Sequence, residues 1–577
     1  MNSLLTCLLL IGLSASTNRL VAQTKSLIKS TINTQQVDQL FTPFIRPDGP
    51  GAVIAIVKDG KMLYSKGYGN ANLEYNLPNT ASTAFHAASI SKQFTAFAVA
   101  VLASQGKLSL DDDVRKYLPE IANFGSTITI RHLIYHTSGL RDQWGLLSLA
   151  GWRSDDVITQ EQILKLIYGQ RELNFVPGTE FLYSNTNYTL LAQIVEQVTG
   201  QAFSTWTRKH IFEPLGMKHT LFNDSHERVV KNRADSYQEL NTSYKKGILN
   251  YATVGATGLL TTAKDLATWA IQFEQTKLSH QAIFAQLSQP GVLGDGQLIQ
   301  YSPQPGSSIS YGYGQAITQH KGLRLVYHDG SDAGFRTYLG RFPDQHFAVV
   351  VLSNLGSFDA EKIALQVADL YLTDRPIEKR QSQQARPQSK EAITSYQVGR
   401  SVLKTYIGRY RLSDKLMISI WQQGEGLKGQ ITGKKTVHDL VAKSDTSFTM
   451  PLINASIVFR PAEGGQANYL TFRYDQGVTS AFRVEMMASE QATLRELTGT
   501  YFSHELGTAY TIVLRDDQLI IQHPRLSDIH LTVLETNRLS GDVGFFKDVE
   551  LIRGPAAKIA GFKVSNGRVR NVWFEKR

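Results

Sequence analysis

The stretch that decides the fold is FHAASISK at residues 85–92, which runs directly into QFTAFAVAVLASQG at residues 93–106. Large apolar residues recur at helical spacing in the second part, and alanines fill most of the gaps. Such a helix is apolar nearly all round and belongs in the middle of a domain. Ser89 and Lys92 are three residues apart, so they share one face of its first turn.

The S-x-x-K spacing alone is a weak signal, because it occurs elsewhere in the chain. The other copies begin at Ser26, Ser243 and Ser401. Only the copy at Ser89 opens an apolar helix, where a lysine would otherwise be costly to bury. A serine at a helix N-terminus meets free N–H groups that stabilise an oxyanion. A lysine in apolar surroundings loses proton affinity and becomes a proton acceptor. This context predicts acyl transfer on Ser89 with Lys92 as a base.

A second segment, YSN at residues 183–185, precedes an amphipathic helical pattern. The phenol of Tyr183, placed beside a cationic lysine, is biased towards phenolate and suits a general base. The amide of Asn185 is suited to binding either a substrate carbonyl or the Lys92 side chain. These residues are therefore candidates for the same site.

A third segment reads YHDGSDAGFR at residues 327–336. We expect Gly330 to let a substrate approach the strand backbone closely. The N–H of Ser331 then becomes a second oxyanion donor beside that of Ser89. His328 fits either a strand-end histidine with a local partner or a member of the site. The chain lacks the G-x-S-x-G and H-E-x-x-H patterns, which disfavours an α/β-hydrolase and a zincin.

In this order, S-x-x-K, Y-x-N and H-x-G resemble the motifs of the penicillin-recognising serine hydrolases. The likeness is strongest to class C β-lactamases, D,D-carboxypeptidases, related esterases and D-aminopeptidases. Further stretches agree with it: GKLSLDDDVRKYLP at 106–119, HTSGL at 136–140, EPLGM at 213–217 and GATGLLTT at 255–262. The resemblance covers residues 35–374 and implies an α/β (α+β) domain, in which the site lies between an antiparallel sheet and a helical cluster.

The resemblance also implies roles for individual residues. Ser89 is the acylated nucleophile, and Lys92 and Tyr183 share the proton transfers that activate it and later activate water. The amides of Ser89 and Ser331 form the oxyanion hole. The implied substrate-binding and oxyanion residues are Asn185, His328, Gly330 and Ser331. No metal and no organic cofactor is implied.

The third motif departs from the family pattern. Typical β-lactamases have Lys-Thr-Gly there, and that cation and hydroxyl bind the carboxylate of the drug, whereas this chain has His328 and Asp329. An exposed carboxylate repels an anion about 4 Å away by about 1 kcal/mol in water. The departure therefore favours an amine-bearing or neutral substrate over a penicillin.

The C-terminal part has a different character and repeats itself. Residues 375–400 are polar, contain prolines and are predicted to be a linker. Beyond them, YIGRY at 406–410 resembles LTGTY at 497–501, and FRYDQG at 472–477 resembles FKVSNG at 562–567.

The repeat predicts two small antiparallel β units, at residues 401–487 and 494–577, each closed into a lipocalin-like barrel. One larger sheet built from both halves is the alternative. A catalytic domain followed by two barrels resembles the D-aminopeptidase architecture, in which the barrels shape the site. Stabilisation of the chain or self-association through these β domains is an equally good role.

Composition narrows the cell-biological possibilities. The 577 residues carry 60 Lys and Arg against 50 Asp and Glu, a net charge of +10 without a basic run, so nucleic acid is not an expected partner. The apolar stretch around Cys7 is too short to span a bilayer and predicts a signal peptide at residues 1–22; the alternative is a buried N-terminal helix. No other apolar run approaches a membrane span, so we expect an exported, periplasmic or extracellular protein.

Together these features predict a secreted serine hydrolase that cleaves amide or ester bonds of small substrates through an acyl-enzyme. A D-aminopeptidase or D,D-peptidase-like activity fits best. An esterase or a class C-type β-lactamase is the alternative within the same chemistry. The alternative of another class is a catalytically silent protein that binds or senses peptidoglycan or β-lactams.

Overall fold

The computed structural model describes residues 34–44, 46, 48–278, 280–301, 308–372, 396–413, 416–431, 436–453, 455–461, 467–474, 477–484 and 494–577. The chain divides into two units: Met1–Leu147 with Trp152–Pro376, and Ser148–Gly151 with Ile377–Arg577. The predicted signal peptide and most of the predicted linker lie outside the described residues.

A seven-stranded antiparallel sheet forms the centre of the first unit. Its strands are β1 (Ala52–Lys58), β2 (Lys61–Tyr68), β3 (Ser310–Gly312), β4 (Gln315–His320), β5 (Leu323–Asp332), β6 (Phe335–Phe342) and β7 (Phe347–Ser353). They lie side by side in the order β3-β4-β5-β6-β7-β1-β2. The first and last parts of the unit therefore meet inside the sheet, at the β7–β1 pair.

Local sequence signals account for parts of this sheet. Asp59 and Gly60 link β1 to β2 with φ values of 51° and 69°, as a tight turn between twisted antiparallel strands requires. The apolar residues of β7 are buried along its whole length, as expected of a strand that is covered on both faces.

Helices cover both faces of the sheet. Ala360–Leu372 packs on β6 and β7 through the apolar face that its spacing predicts. On the other face Ala263–Gln272 packs on β1 and β7, and the buried helix Ser91–Ser104 packs against Asn185–Thr199. The catalytic motifs lie where this helical layer meets β5, which confirms the predicted fold class.

The remaining elements of the first unit are short. Residues 34–41 are also helical, and its other α-helices are Ile130–Ile134, Gln160–Tyr168, Phe203–Thr207, Glu213–Leu215 and Gln281–Leu287, together with the part of Gln143–Leu149 that ends at Leu147. Its short strands pair as Leu259–Thr261 with both Phe85–His86 and Leu221–Phe222, Ile158–Thr159 with Tyr251–Ala252, Asn70–Asn72 with Leu77–Pro78, and Ser236–Leu240 with Ser243–Gly247.

The second unit contains two closed eight-stranded barrels in which each strand pairs with its neighbours in sequence. After the helix Arg400–Tyr406, the first barrel consists of Gly408–Ser413, Leu416–Gln423, Gly426–Ile431, Val437–Ala442, Ser447–Met450, Ala455–Pro461, Ala467–Tyr474 and Gly477–Val484. The second consists of Gly499–Ser503, Thr508–Arg515, Gln518–His523, Leu526–Glu535, Arg538–Gly541, Asp548–Arg553, Ile559–Asn566 and Val569–Lys576. The prediction of two barrels is confirmed, and the alternative of one large sheet is wrong.

The sequence repeat corresponds to the same local structure in both barrels. Tyr410 is fully buried, and its hydroxyl donates to the carbonyl of Tyr406 at 2.9 Å. Tyr501 is equally buried, and its hydroxyl donates to the carbonyl of Leu497 at 2.7 Å. Each tyrosine thus fastens the start of its barrel to the residues before it.

Among the helices of the described residues, none combines the length and the apolar character needed to cross a membrane.

Candidate active site

Ser89 lies in a 3-10 turn, Ala88–Ile90, and the α-helix begins at Ser91 rather than at Ser89 as the periodicity suggests. The residue before it, Ala88, has a φ of 47°, which is unusual for a residue with a side chain and stores strain at the turn. Ser91 holds the turn in place, because its hydroxyl donates to the Ala88 carbonyl at 2.6 Å and accepts from the Leu259 N–H at 3.2 Å. Ser89 itself is partly exposed.

The Lys92 side chain is fully buried and contacts Ser89. Its Nζ donates to Ser89 Oγ at 3.1 Å, to Asn185 Oδ1 at 2.9 Å and to the Ala256 carbonyl at 2.7 Å. The amide and carbonyl oxygens only accept, so they fix two protons of the nitrogen. The third direction at Nζ points to Ser89. It carries a proton when Lys92 is an ammonium and a lone pair when Lys92 is a neutral amine, and a base needs such a lone pair beside the hydroxyl.

Asn185 is the first residue of the helix Asn185–Thr199 and is held from both sides. Its backbone N–H and Nδ2 both donate to Asp142 Oδ2, at 2.7 and 2.8 Å. Because the carboxylate accepts and the Lys92 nitrogen donates, the orientation of the amide follows from its partners. Of the two predicted roles for Asn185, the geometry supports the contact with Lys92.

Tyr183 lies beside the same lysine. Lys92 Nζ is 4.9 Å from the centre of the Tyr183 ring, within the range of a favourable cation–π contact. The ring packs on His136 at a centroid distance of 4.4 Å and lies 6.1 Å from the ring of His328. Lys92 is therefore a common neighbour of Ser89, Tyr183 and Asn185.

His328 is a buried, neutral imidazole. Burial lowers its pKa to about 4, with Asp329 opposing the shift and Lys92 adding to it. Its Nδ1 lies 2.6 Å from the Asp329 carbonyl, which only accepts, so Nδ1 carries the proton. Its Nε2 is then an acceptor, 3.4 Å from the hydroxyl of Tyr311.

A chain of buried hydrogen bonds extends behind His328. The Ser184 N–H donates to His136 Nδ1 at 3.2 Å, so the proton of that imidazole is on Nε2, which lies 3.2 Å from the Tyr311 hydroxyl. Burial raises the pKa of Tyr311 well above its usual value, so this phenol keeps its proton and donates it to His328. Each member of the His136–Tyr311–His328 chain thus has one consistent donor role.

The third motif lies on an open strand edge. β5 pairs with β4 only as far as Tyr327, whereas it pairs with β6 through Asp332. Residues 328–332 are therefore unpaired on one side, where an extended substrate can bind. Asp329 and Ser331 are exposed on this segment.

Gly330 packs against the turn that carries the nucleophile. A Cβ at Gly330 would lie 2.3 Å from Thr337 Oγ1, 2.5 Å from the Ala87 carbonyl oxygen and 3.0 Å from the Ala88 Cβ. The space that the glycine leaves is thus filled by the Thr337 hydroxyl and the Ser89 turn, which differs from the predicted reason for a glycine here. Because Gly330 has no side chain, β5 can lie close to the nucleophile turn.

Sequence reasoning missed four residues that hold the site: Asp142, His136, Tyr311 and the carboxylate of Asp332, which contacts His86. Two of them left a usable signal. His136 begins the HTSGL stretch, and Asp332 directly follows Ser331. Asp142 lies two residues beyond HTSGL, and Tyr311 lies outside every motif; both are single polar residues that no periodicity marks.

Replacing Tyr311 with phenylalanine is expected to destabilise the first unit and to lower kcat/KM. The change keeps the ring but leaves His136 Nε2–H and His328 Nε2 buried without their partner, at a cost of about 1–3 kcal/mol for each group. Calorimetric unfolding and ester hydrolysis measure the two effects.

Tyr338→Phe is the matched control for this substitution. Tyr338 is fully buried, and its hydroxyl has no hydrogen-bond partner among the described residues, so its loss is expected to leave stability and activity unchanged. If Tyr311→Phe and Tyr338→Phe have the same unfolding free energy and the same kcat/KM, the His136–Tyr311–His328 hydrogen bonds contribute to neither.

Across the part of the chain that the structure describes, no three His, Cys, Asp or Glu side chains are grouped so as to hold a metal ion. Ser89 contacts Lys92, which in turn contacts the amide of Asn185 and the ring of Tyr183. A serine hydroxyl beside a lysine that other groups hold in place is the arrangement of an activated nucleophile.

Comparison with known proteins agrees with this class. The Beta-lactamase family model matches residues 37–372, and the chain belongs to that family. It is 30% identical over 307 residues to the D-aminopeptidase of Gluconobacter oxydans (strain 621H), a match that covers 53% of this chain and 56% of that protein. It is 27% identical over 447 residues to penicillin-binding protein 4* of Bacillus subtilis (strain 168), covering 73% of this chain and 92% of that protein.

Solved structures show the same fold. The octameric penicillin-binding protein homologue from Pyrococcus abyssi superimposes with a TM-score of 0.53 at 23% identity, covering 78% of this chain and 99% of that one. The chain is a serine hydrolase of the β-lactamase and penicillin-binding protein family. The match spans little more than half of the D-aminopeptidase, at 56% of its length.

Proposed function

We propose that this protein hydrolyses amide and ester bonds of small D-amino-acid derivatives through an acyl-enzyme on Ser89. The contact that carries the proposal is the 3.1 Å hydrogen bond between Lys92 Nζ and Ser89 Oγ. In this proposal Ser89 Oγ attacks the substrate carbonyl carbon while Lys92 and Tyr183 take up its proton. The proton passes to the leaving amine or alcohol, and the carbon–leaving group bond breaks.

Deacylation repeats these transfers with water. Lys92 and Tyr183 take a proton from water, the resulting hydroxide adds to the acyl carbon, and the proton returns to Ser89 Oγ as the acid leaves. The N–H groups of Ser89 and Ser331 bind the oxyanion in both steps, and Gly330 keeps the two segments close enough to do so. Asn185 and His328 orient Lys92 and the substrate.

The charge of the third motif supports the choice of substrate. At neutral pH the imidazole of His328 is uncharged, since burial lowers its pKa to about 4, and the neighbouring Asp329 is exposed. His328 therefore supplies no cation that would attract a carboxylate, and Asp329 places a negative charge at this end of the site. The relative named D-aminopeptidase supports an amine-bearing substrate of D configuration.

The proposal is tested with a substrate panel on the wild-type chain: D-alanine p-nitroanilide and its L-enantiomer, a short-chain nitrophenyl ester, a chromogenic cephalosporin, and D-alanyl-D-alanine with its C-terminal amide. We expect hydrolysis of the D-anilide in preference to the L-anilide, and the cephalosporin to be slowest. The kcat/KM of the amide-capped dipeptide should exceed that of the dipeptide with a free carboxylate by about 5-fold, because Asp329 repels the carboxylate by about 1 kcal/mol.

The panel also separates the alternatives. Hydrolysis of the nitrophenyl ester alone indicates an esterase, and a preference for the cephalosporin indicates a class C-type β-lactamase and contradicts the argument from Asp329. A chain that binds these compounds without hydrolysing any of them is the silent binding or sensing protein.

Export is part of the proposal and is supported by the signal-like residues 1–22. Fractionation of cells that express the full chain tests it, and an uncleaved chain in the cytoplasm contradicts it. Self-association through the two barrels stays a prediction.

A further inference from the structure

Asp332, the last residue of β5, carries a carboxylate that is held in place on one side only. Its Oδ2 lies 2.9 Å from His86 Nε2 and accepts from the Thr257 hydroxyl at 2.5 Å. Its side chain is 17% exposed, and among the described residues none donates a hydrogen bond to Oδ1. One oxygen is therefore fixed, and the other is free to accept from a ligand.

The position of Asp332 along β5 places it at a definite end of the site. His328, near Tyr183 and Tyr311, begins the open edge, and Asp332 ends it four residues later, about 13 Å away along an extended strand. Gly330, between them, packs on the nucleophile turn. The open edge of β5 thus has one end near Tyr183 and another near Asp332, with the Ser89 turn packed between them.

The chemistry assigns the two ends to the two halves of a substrate. Tyr183 takes part in protonating the leaving group, so the leaving group lies at the His328 end and the acyl group at the Asp332 end. A nitrogen on the α-carbon of the acyl group is two bonds from the carbonyl carbon that Ser89 attacks. Asp332 directly follows Ser331, the proposed oxyanion donor, so its carboxylate is the acidic group nearest to that nitrogen along β5.

The surroundings of Asp332 suit a cation. Thr257, which donates to the Asp332 carboxylate, directly follows Ala256, whose carbonyl accepts from Lys92 Nζ. The same segment therefore contacts both Asp332 and the catalytic lysine. Tyr251 lies within electrostatic reach of Asp332, and its ring packs on Trp144 at a centroid distance of 4.7 Å. A partly buried carboxylate attracts a cationic ligand more strongly than one in open water does.

Arg336 lies within electrostatic reach of Asp332 but makes no ion pair with it. Arg336 donates instead to the backbone carbonyls of Ala333 and Phe335, at 3.1 and 2.7 Å. Among the described residues, His86 is the one basic group within ion-pair distance of Asp332. A cationic ligand would therefore meet a negative charge without displacing a lysine or an arginine.

We infer that Asp332 binds the free α-ammonium group of the acyl half of the substrate, so that the enzyme selects amino-acid amides and esters with an unblocked amine over their N-acylated forms. The inference rests on the proposed function and deepens it. It assigns the two aspartates of the third motif different effects: Asp329 disfavours a carboxylate on the leaving group, and Asp332 selects an amine on the acyl group.

The test compares D-alanine benzyl ester with N-acetyl-D-alanine benzyl ester as substrates for the full-length chain. Asp332→Asn keeps the shape and a hydrogen bond to Thr257 but removes the charge. We expect kcat/KM for the free-amine ester to fall by about 10-fold or more, as for a partly buried charge pair that loses one partner, and kcat/KM for the N-acetyl ester to change less than about 3-fold. Asp329→Asn is the matched control and should leave this selectivity unchanged.

A binding measurement separates this inference from the proposed function. In the Ser89→Ala background, calorimetric titration with D-alanine benzyl ester should show affinity about 10-fold weaker or more when Asp332→Asn is added. That loss can be observed even if the chain hydrolyses no amide, in which case only the proposed function fails. Equal affinity in the two variants, or an equal loss of both esters in the kinetic test, would overturn the role of Asp332 as an ammonium-binding residue.

Discussion

Replacing Ser89 by alanine is expected to lower kcat for an ester substrate by about 10⁴-fold or more. The variant has no hydroxyl oxygen to form the acyl-enzyme. Oxyanion stabilisation and substrate binding alone account for the residual rate. The side chain is small and partly exposed, and the turn is held by Ser91, so the fold should not change. Steady-state hydrolysis of D-alanine benzyl ester measures the loss.

The chain provides a matched control for this substitution. Ser243 begins another S-x-x-K copy, on the exposed strand Ser243–Gly247, and its hydroxyl donates only to the Leu240 carbonyl. Ser243→Ala should retain full activity. Ser89→Ala with more than about one tenth of wild-type activity would exclude Ser89 as the nucleophile.

Replacing Lys92 by methionine is expected to lower kcat by about 10³-fold, the effect of losing a positioned general base. Methionine occupies a similar volume in the apolar surroundings but has no proton to give or take. It also leaves Asn185 Oδ1 and the Ala256 carbonyl buried without their donor, so stability should fall by about 1–3 kcal/mol for each group.

Kinetics and unfolding must be measured together for this variant, because activity at a temperature where it is partly unfolded carries no information about the base. Lys246→Met removes the lysine of the Ser243 copy, which makes exposed ion pairs with Glu74 and Asp235, and should change either quantity little. A folded Lys92→Met chain with wild-type kcat would remove the lysine from the mechanism.

The parts of this protein that could be predicted are those that depend on residues close together in sequence. Ser89 and Lys92 are three residues apart in an apolar stretch, so one helical turn brings them together. The barrels left a repeat because the same tyrosine-to-carbonyl hydrogen bond starts both of them. The resemblance to a known family then located Tyr183 and His328, which spacing alone does not single out.

The parts that could not be predicted depend on contacts between distant segments. Asp142 orients Asn185 across 43 positions of sequence, and Tyr311 joins His136 to His328 only because the sheet brings β3 and β5 under the helical layer. The same holds for His86 and Asp332, which are 246 positions apart. Isolated polar residues carry no periodicity, so their partners emerge only from the tertiary fold.

The backbone conformation at the nucleophile was equally hidden. Helical periodicity extends the helix through Ser89. Instead, Ala88 adopts a positive φ and the α-helix begins at Ser91. Close packing with Gly330 and the hydrogen bonds of Ser91 impose this turn, and neither is visible as a local propensity.

In the proposed mechanism Ser89 is the residue that becomes covalently modified. This is tested by labelling the wild-type chain with a fluorophosphonate probe, followed by intact mass measurement and peptide mapping. One adduct per chain, on the peptide that contains Ser89 and absent from Ser89→Ala, is the predicted result. An unlabelled wild-type chain, or an adduct that persists in Ser89→Ala on another residue, would contradict the account.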